Sequence, residues 1–302
     1  MNVLNLVTTP RPFFQQQCDI LEKNEVSVTT ISIPGRETQA DNRSVTDYLR
    51  YYPTVVRNSL DGFDVIHANY GLTAPFAIAQ PSRPIVLTLW GSDLMGKYKT
   101  VVNRCTKYFE KVILPSPAMA ADLKTSYTLL PFGVDIDLFR PVEKEIARDK
   151  LGWENNEVVI LFPYNSSRSV KRFELAKQIV DTVGDARLHV LSGVPYGQVP
   201  LYMNASDAVL ITSERESGPM VAKEAALCNV PVVSTDVGFV PDVLADVKNS
   251  YVCGSKQELV DRLEYVLDSR LRSDGRKHAE EWSIERMGDR LVNVYESVLE
   301  DQ

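Results

Sequence analysis

Ala208-Val-Leu-Ile-Thr-Ser-Glu-Arg-Glu-Ser-Gly-Pro-Met-Val-Ala-Lys-Glu-Ala-Ala-Leu-Cys-Asn-Val-Pro-Val-Val-Ser234 reads as strand, loop, helix, strand. The β-branched run ends at Thr212, and Ser217 with Gly218 makes the turn. Pro219 stands in the first helical turn, where its missing N–H costs nothing. Asn229 takes the position just past Cys228 where a left-handed residue closes a helix. The loop therefore offers free backbone N–H groups and the positive end of a helix, an anion site suited to a diphosphate. Glu216 and Glu224 fall at the two ends of a Glu-x7-Glu spacing, one before the helix and one two turns along it on nearly the same face. One carboxylate could reach a sugar while the other reaches a ribose, but spacing alone is weak evidence.

Working outward, short apolar strands alternate with helical periodicities on both sides of this unit, as in parallel α/β sheets. Candidate strands are Val3 to Val7, Val26 to Ser32, Val65 to His67, Ile85 to Thr88 and Val112 to Leu114. A second set runs Val158 to Pro163, Arg187 to Leu191, Ala208 to Thr212, Val232 to Ser234 and Ser250 to Val252. Between the sets, Leu130-Pro-Phe-Gly-Val-Asp-Ile-Asp-Leu-Phe-Arg-Pro141 breaks the alternation and marks a connection between domains. Two doubly wound domains follow, residues 1–142 and 143–282, which fits 302 residues at roughly 150 per domain. Doubly wound sheets bind ligands at the carboxyl ends of their strands, though a fold alone names no reaction.

Composition narrows the partners. The formal charge is −7 and hydrophobic residues make up 44%, an ordinary globular balance that disfavours nucleic acid as a bulk partner. Four widely spaced cysteines, with no Cys-x-x-Cys pair, indicate neither a zinc site nor a disulfide framework, and point to a cytoplasmic setting. No secretory signal or membrane span is expected, because the long uncharged stretches at 65–82 and 188–206 are interrupted by polar residues. One expected helix, with its apolar stripe over Lys97 to Phe109 and its charged face over Lys97 to Lys111, sets Lys97, Lys99, Arg104, Lys107 and Lys111 against Glu110. It reads as a solvated face or as a docking surface for anionic lipid that would make the protein peripheral on the inner face of a membrane.

Four blocks together resemble glycosyltransferase family 4, retaining nucleotide-sugar glycosyltransferases of the GT-B fold. They are the Glu-x7-Glu block with Gly218-Pro219 and Pro231-Val-Val233; Asn165-Ser-Ser-Arg168-Ser-Val-Lys171-Arg-Phe173; Leu130-Pro-Phe-Gly-Val-Asp135 with Phe139-Arg-Pro141; and Val65-Ile-His67-Ala-Asn-Tyr-Gly71 with Thr88-Leu-Trp-Gly91-Ser-Asp93. The resemblance implies two Rossmann-like domains facing a central cleft, with a last helix, residues 283–302, returning to the first domain. It implies transfer of a sugar from a UDP- or GDP-sugar to a glycan or lipid-linked acceptor with retained configuration, without metal or other cofactor.

By position, Arg168 and Lys171 would neutralise the donor diphosphate and stabilise the leaving group, and Glu216 would hold the transferred sugar. Glu224 would bind the ribose, while Ser217, Gly218, Pro219 and Met220 would line sugar and phosphates. His67, Trp90, Gly91 and Asp93 would border the cleft on the acceptor side. His67 equally fits a satisfied core histidine, Asp93 a turn cap, and Trp90 either a sugar-stacking ring or simple packing. Asp135-Ile-Asp137 looks like a metal motif only superficially, since it lies in the linker signature. The chain departs from the family in its glycine-free first loop, Thr8-Thr-Pro-Arg-Pro-Phe-Phe-Gln15, in Trp90 where a His is usual, and in a short N-terminal domain. Those departures keep two alternatives in view, a nucleotide-sugar epimerase and a non-catalytic nucleotide-sugar-binding or scaffold protein.

Overall fold

The computed structural model describes residues 1–35, 43–94, 96, 98–216, 218 and 220–301. The chain divides into two compact units, Met1–Gly133 with Ile284–Gln302, and Val134–Ser283. The second unit starts upstream of the expected break at residue 142. The reason is packing: Val134 N–H bonds to the Trp282 carbonyl, and Val134 and Phe139 are buried in the second unit's core.

In the first unit, β1 (Asn2–Val7), β2 (Ser27–Ser32), β3 (Val65–Asn69), β4 (Ile85–Thr88), β5 (Lys111–Leu114) and β6 (Thr128–Leu129) form one parallel sheet in the order β2-β1-β3-β4-β5-β6. Alternate residues serve opposite faces. Leu4, Leu6, Ile66 and Leu87 pack under helices Val45–Ser59, Ala74–Ala79 and Lys99–Cys105. Val3, Val65, Val86 and Ile113 pack under helices Pro12–Lys23 and Ile284–Glu300. The last of these buries Ile284, Met287, Leu291, Val294, Tyr295 and Val298, a spacing of three and four that makes one apolar stripe. Gly288 lies within that stripe, and a Cβ there would meet Ile20 Cγ1 at 2.8 Å, so the two helices approach too closely for a side chain.

In the second unit, β7 (Val158–Phe162), β8 (Ala186–Val190), β9 (Ala208–Ile211), β10 (Val232–Thr235) and β11 (Tyr251–Cys253) form a parallel sheet in the order β11-β10-β9-β7-β8. Both sheets thus reverse strand order once, beside their first strand. The loops leaving β7 toward β8 and β9 toward β10 diverge there and open a crevice at the strands' carboxyl ends. This is a GT-B fold.

The expected helix from Lys97 to Phe109 is corrected. A short helix, Lys99–Cys105, gives way to a 3-10 turn, Thr106–Tyr108, and Lys111 opens β5; Lys97 lies outside the described residues. Thr106 side-chain capping of the Asn103 carbonyl (2.9 Å) tightens the chain at that point. Among the described residues no helix is long and apolar enough to cross a membrane.

His67 sits in the middle of the first sheet and is fully buried. Its Nδ1 and the Tyr295 hydroxyl are 2.6 Å apart, and its Nε2 and Thr88 Oγ1 are 2.7 Å apart, so the closing helix is joined to β3 and β4 by a polar link. Burial holds the imidazole down to about 3, so it is neutral near pH 7. Tyr295→Phe strands the Nδ1 position, and the expected loss is about 1–3 kcal/mol of stability. Urea unfolding checks this; a midpoint equal to wild type would show that the bond contributes nothing.

Candidate functional site

The site is built on the crevice of the second sheet. After β7 the chain passes Pro163 and Tyr164 and turns on Asn165, whose Oδ1 accepts from the Ser167 N–H (2.8 Å). A 3-10 turn, Ser169–Lys171, follows, and Arg172 adopts a left-handed conformation (φ 52°) before helix Phe173–Val183. Thr212, just past β9, donates its hydroxyl to the carbonyls of Lys171 (2.9 Å) and Arg172 (3.1 Å). The Glu214 N–H donates to the Val170 carbonyl at 2.9 Å. The two loops are therefore laced together below the side chains that matter.

Lys171 is buried, and its ammonium pairs with the Glu216 carboxylate. Ser213 Oγ donates to the same carboxylate at 2.7 Å, and the Tyr164 ring lies under the ammonium, 3.8 Å from its centroid. Burial lowers the Lys171 pKa, Glu216 opposes that fall, and Arg168 adds to it. The Tyr164 phenol is pushed well above its usual range, by burial first and then by Glu216. From the other side, Thr235 Oγ1 donates to the Ser213 carbonyl (2.7 Å), and Gly238 (φ 57°) leaves room for the Glu216 backbone. A Cβ at 238 would stand 2.6 Å from the Glu216 carbonyl oxygen, so glycine is required there for both space and conformation.

Glu224 projects from helix Met220–Leu227 and is buried; its Oε1 accepts from the Tyr196 hydroxyl at 2.7 Å. Burial pushes this carboxyl up to about 7, and the Tyr196 bond acts against the rise. Tyr196 is braced in turn by Phe139, ring centroids 5.3 Å apart. Between these groups lies a cavity of about 350 Å³, walled by Tyr164, Ser192, Tyr196, Glu216, Gly218 and Glu224 among others.

Of the residues expected from sequence, Glu216, Gly218, Met220 and Glu224 line this cavity. Lys171 reaches it through Glu216, while Arg168 is exposed beyond the wall, close enough for its charge to act on Lys171. Ser217 and Pro219 lie outside the described residues. Tyr164 and Tyr196 were not among the sequence candidates. Each directly follows or closely trails a strand's carboxyl end, a positional signal that composition does not carry.

The first-unit candidates have structural roles. His67 is enclosed, with both ring nitrogens engaged. Asp93 is buried and accepts from the N–H groups of Gly71 (2.8 Å), Gly91 (2.8 Å), Leu94 (3.0 Å) and Trp90, so it organises its loop and turns away from solvent. Burial raises its pKa, and the N–H donors of Gly71, Trp90 and Gly91 act against the rise. Gly91 (φ 111°) supplies the backbone geometry of that loop. Trp90 is packed rather than displayed: Phe132 stacks on it at 4.5 Å and Phe13 leans in at 4.4 Å. In the glycine-free first loop, the Arg43 guanidinium donates to the Thr8 carbonyl (2.5 Å) and to Thr9 Oγ1 (2.7 Å). Asp135 caps its own turn, accepting from the Asp137 (3.0 Å) and Leu138 (2.9 Å) N–H groups. Among the described residues no group of three or more His, Cys, Asp or Glu is arranged to hold a metal ion.

Residues 145–283 match the family model for glycosyl transferases group 1. Just under half of the chain is therefore similar to the group 1 glycosyltransferases. It is 29% identical over 211 residues to the putative teichuronic acid biosynthesis glycosyltransferase TuaC of Bacillus subtilis, covering 59% of this chain and 54% of that one. The chain spans about half the length of the curated relatives it matches first. In fold, it superposes on sucrose-phosphate synthase from Thermosynechococcus elongatus with a TM-score of 0.82 at 14% identity over 100% of both chains. It also superposes on Anabaena HepE, solved in complex with UDP and glucose, with a TM-score of 0.71 at 18% identity over 98% and 100% of the chains. The cavity and both its carboxylates lie inside the matched group 1 domain.

Glu224 makes stability depend on pH with a definite sign. Its folded pKa lies above the ordinary 4.5, so between about 4.5 and about 7 the folded chain holds a proton that the unfolded chain releases. Stability from this group is therefore present below pH 4.5 and lost as pH rises through 7. Relative to Glu224→Gln, the wild type should lose on the order of 2 kcal/mol between pH 5 and pH 8. Parallel unfolding curves of the two proteins across that range would place the carboxyl at its ordinary pKa instead.

Proposed function

We propose that this chain is a retaining glycosyltransferase that moves a sugar from a nucleotide-diphosphate donor to a hydroxyl of a glycan or lipid-linked acceptor. The observation that carries the reading is a pair of carboxylates facing one cavity at the strand ends, half-buried Glu216 joined to Lys171 and buried Glu224 to Tyr196. In the group 1 domain, Glu224 is placed to accept hydroxyls of a ribose, and it does so best once ionised. Glu216 is placed for the hydroxyls of the transferred sugar. Helix Met220–Leu227 starts at the cavity, and its free N–H groups favour a phosphate there.

The Lys171 charge is balanced by Glu216. A diphosphate arriving beside them would compete for the ammonium, with exposed Arg168 as the second cation. As the glycosidic bond breaks, negative charge grows on the leaving diphosphate, and both cations act more strongly on that state than on the intact donor. Transfer from the front face lets the departing phosphate oxygen take the proton of the acceptor hydroxyl, so configuration is kept. In this reading side-chain cations do the work of a metal, and no cofactor is called for. The UDP and glucose bound to Anabaena HepE support a nucleotide sugar of the UDP type as the first donor to try. The four widely separated cysteines favour a cytoplasmic site of action.

A thermal-shift panel of UDP, GDP, ADP and their sugars should show one nucleotide series raising the unfolding midpoint, since a ligand of the folded state alone stabilises it. With that donor, Lys171→Ala and Glu224→Ala should each lower turnover by about a hundredfold or more while circular dichroism shows a folded chain. Unchanged turnover in both variants overturns the site. An isomeric nucleotide sugar formed without acceptor would identify an epimerase, and binding without transfer to any acceptor would identify a nucleotide-sugar-binding protein.

A further inference from the structure

The first unit carries a surface that the donor site does not use. Helices Val45–Ser59, Ala74–Ala79 and Lys99–Cys105 lie on one face of the first sheet, and their inner residues Tyr51, Val55, Ala74, Ala77 and Val102 share one core. They follow one another across that face: the Tyr52 hydroxyl donates to the Ala79 carbonyl (3.2 Å), and Phe76 packs edge-on to Tyr51 at 5.2 Å.

The outer side of this layer is unusual. Of the fourteen exposed large apolar side chains among the described residues, seven belong to it. Val45 (76% exposed), Leu49 (67%), Tyr52 and Leu60 line the first helix and its end. Tyr98, Val101 and Tyr108 line the third helix and its flanks. The middle helix has no charged residue at all. Segments 45–60 and 98–109 contain the basic residues Arg50, Arg57, Lys99, Arg104 and Lys107 against one carboxylate, Asp47, in a chain whose net charge is −7. Asp47 is spent locally, closing the start of its helix through the Ser44 N–H (2.7 Å).

We infer that this three-helix face docks on an anionic lipid bilayer. The chemistry distinguishes a bilayer from a protein partner. Helices lying in the plane of the surface present aliphatic side chains to the acyl boundary, tyrosines to the headgroup level, and arginines and lysines of one sign to lipid phosphates. A protein–protein interface also favours tyrosine and arginine, but its core is depleted of lysine. An exposed apolar layer of this extent in a soluble unit marks a docking surface. The inference differs from the docking helix expected at Lys97 to Phe109. The structure breaks that helix, and brings Val45–Ser59, far away in sequence, onto the same layer.

The test uses the full chain and no turnover, so it is independent of the donor site. Sedimentation is measured with phosphatidylcholine vesicles, with and without phosphatidylglycerol, at low and high salt. Binding is expected only with phosphatidylglycerol and should weaken with salt, as screened charges require. Arg57→Glu with Lys107→Glu should lower partition by at least about fivefold for each residue changed. Leu49→Asp with Val101→Asp should lower it comparably, and unchanged unfolding midpoints will show that these exposed positions left the fold intact. Partition indifferent to phosphatidylglycerol, or undiminished in both double variants, overturns the inference. So does wild-type self-association that Leu49→Asp with Val101→Asp dissolves while no vesicle is bound, since the face would then be a protein interface.

Discussion

Every strand pairing within the two sheets is parallel, so each connection has to cross a face of its sheet rather than turn back as a hairpin. That constraint organises the rest. Both faces must be covered, which is why β3, β4 and β9 are buried along their whole length and β9 reads as an apolar run without alternation. All strands of a sheet end on the same side, so their outgoing loops converge there. Where the order reverses beside β7, the loops after β7, β8 and β9 part, and the cavity is what their parting leaves.

Burial within the cavity wall is uneven, with Glu224 and Lys171 buried and Glu216 half-buried, and the site's electrostatics follow from that. Lys171 and Glu216 are both taken out of water and are tolerable only together, with Ser213 donating to the carboxylate and Tyr164 beneath the ammonium. Glu224 pairs with no cation among the described residues and accepts from the Tyr196 hydroxyl, and burial lifts its pKa to about 7. Two glutamates on one loop-and-helix unit thus have different partners, a cation for Glu216 and a phenol for Glu224.

Much of the fold was legible because it is written in local periodicity. The apolar runs of β7 and β9, the left-handed Asn229 (φ 55°) and the three-and-four spacing of Ile284–Glu300 follow from residue type and neighbours alone. The site was legible in part, through the Glu-x7-Glu block and Lys171. Tyr164 and Tyr196 were missed since an aromatic residue after a strand has no distinguishing composition. His67, Asp93 and Trp90 each admit a cleft-side and a packing reading from sequence, and the structure gives all three partners within the first unit, because sequence shows a polar or aromatic side chain but not what encloses it.

The order of strands and helices, the doubly wound class and the loop that opens toward a ligand were determined by the sequence itself. Each depends on interactions a few residues apart. The pairing of Lys171 with Glu216, 45 positions away, was decided only when β7 and β9 became neighbours. So were the bond of Tyr196 to Glu224 across 28 positions and that of His67 to Tyr295 across 228. Which charge is balanced, which carboxyl keeps its proton and which apolar side chains stay in solvent are properties of burial, and burial exists only once distant segments have closed over one another.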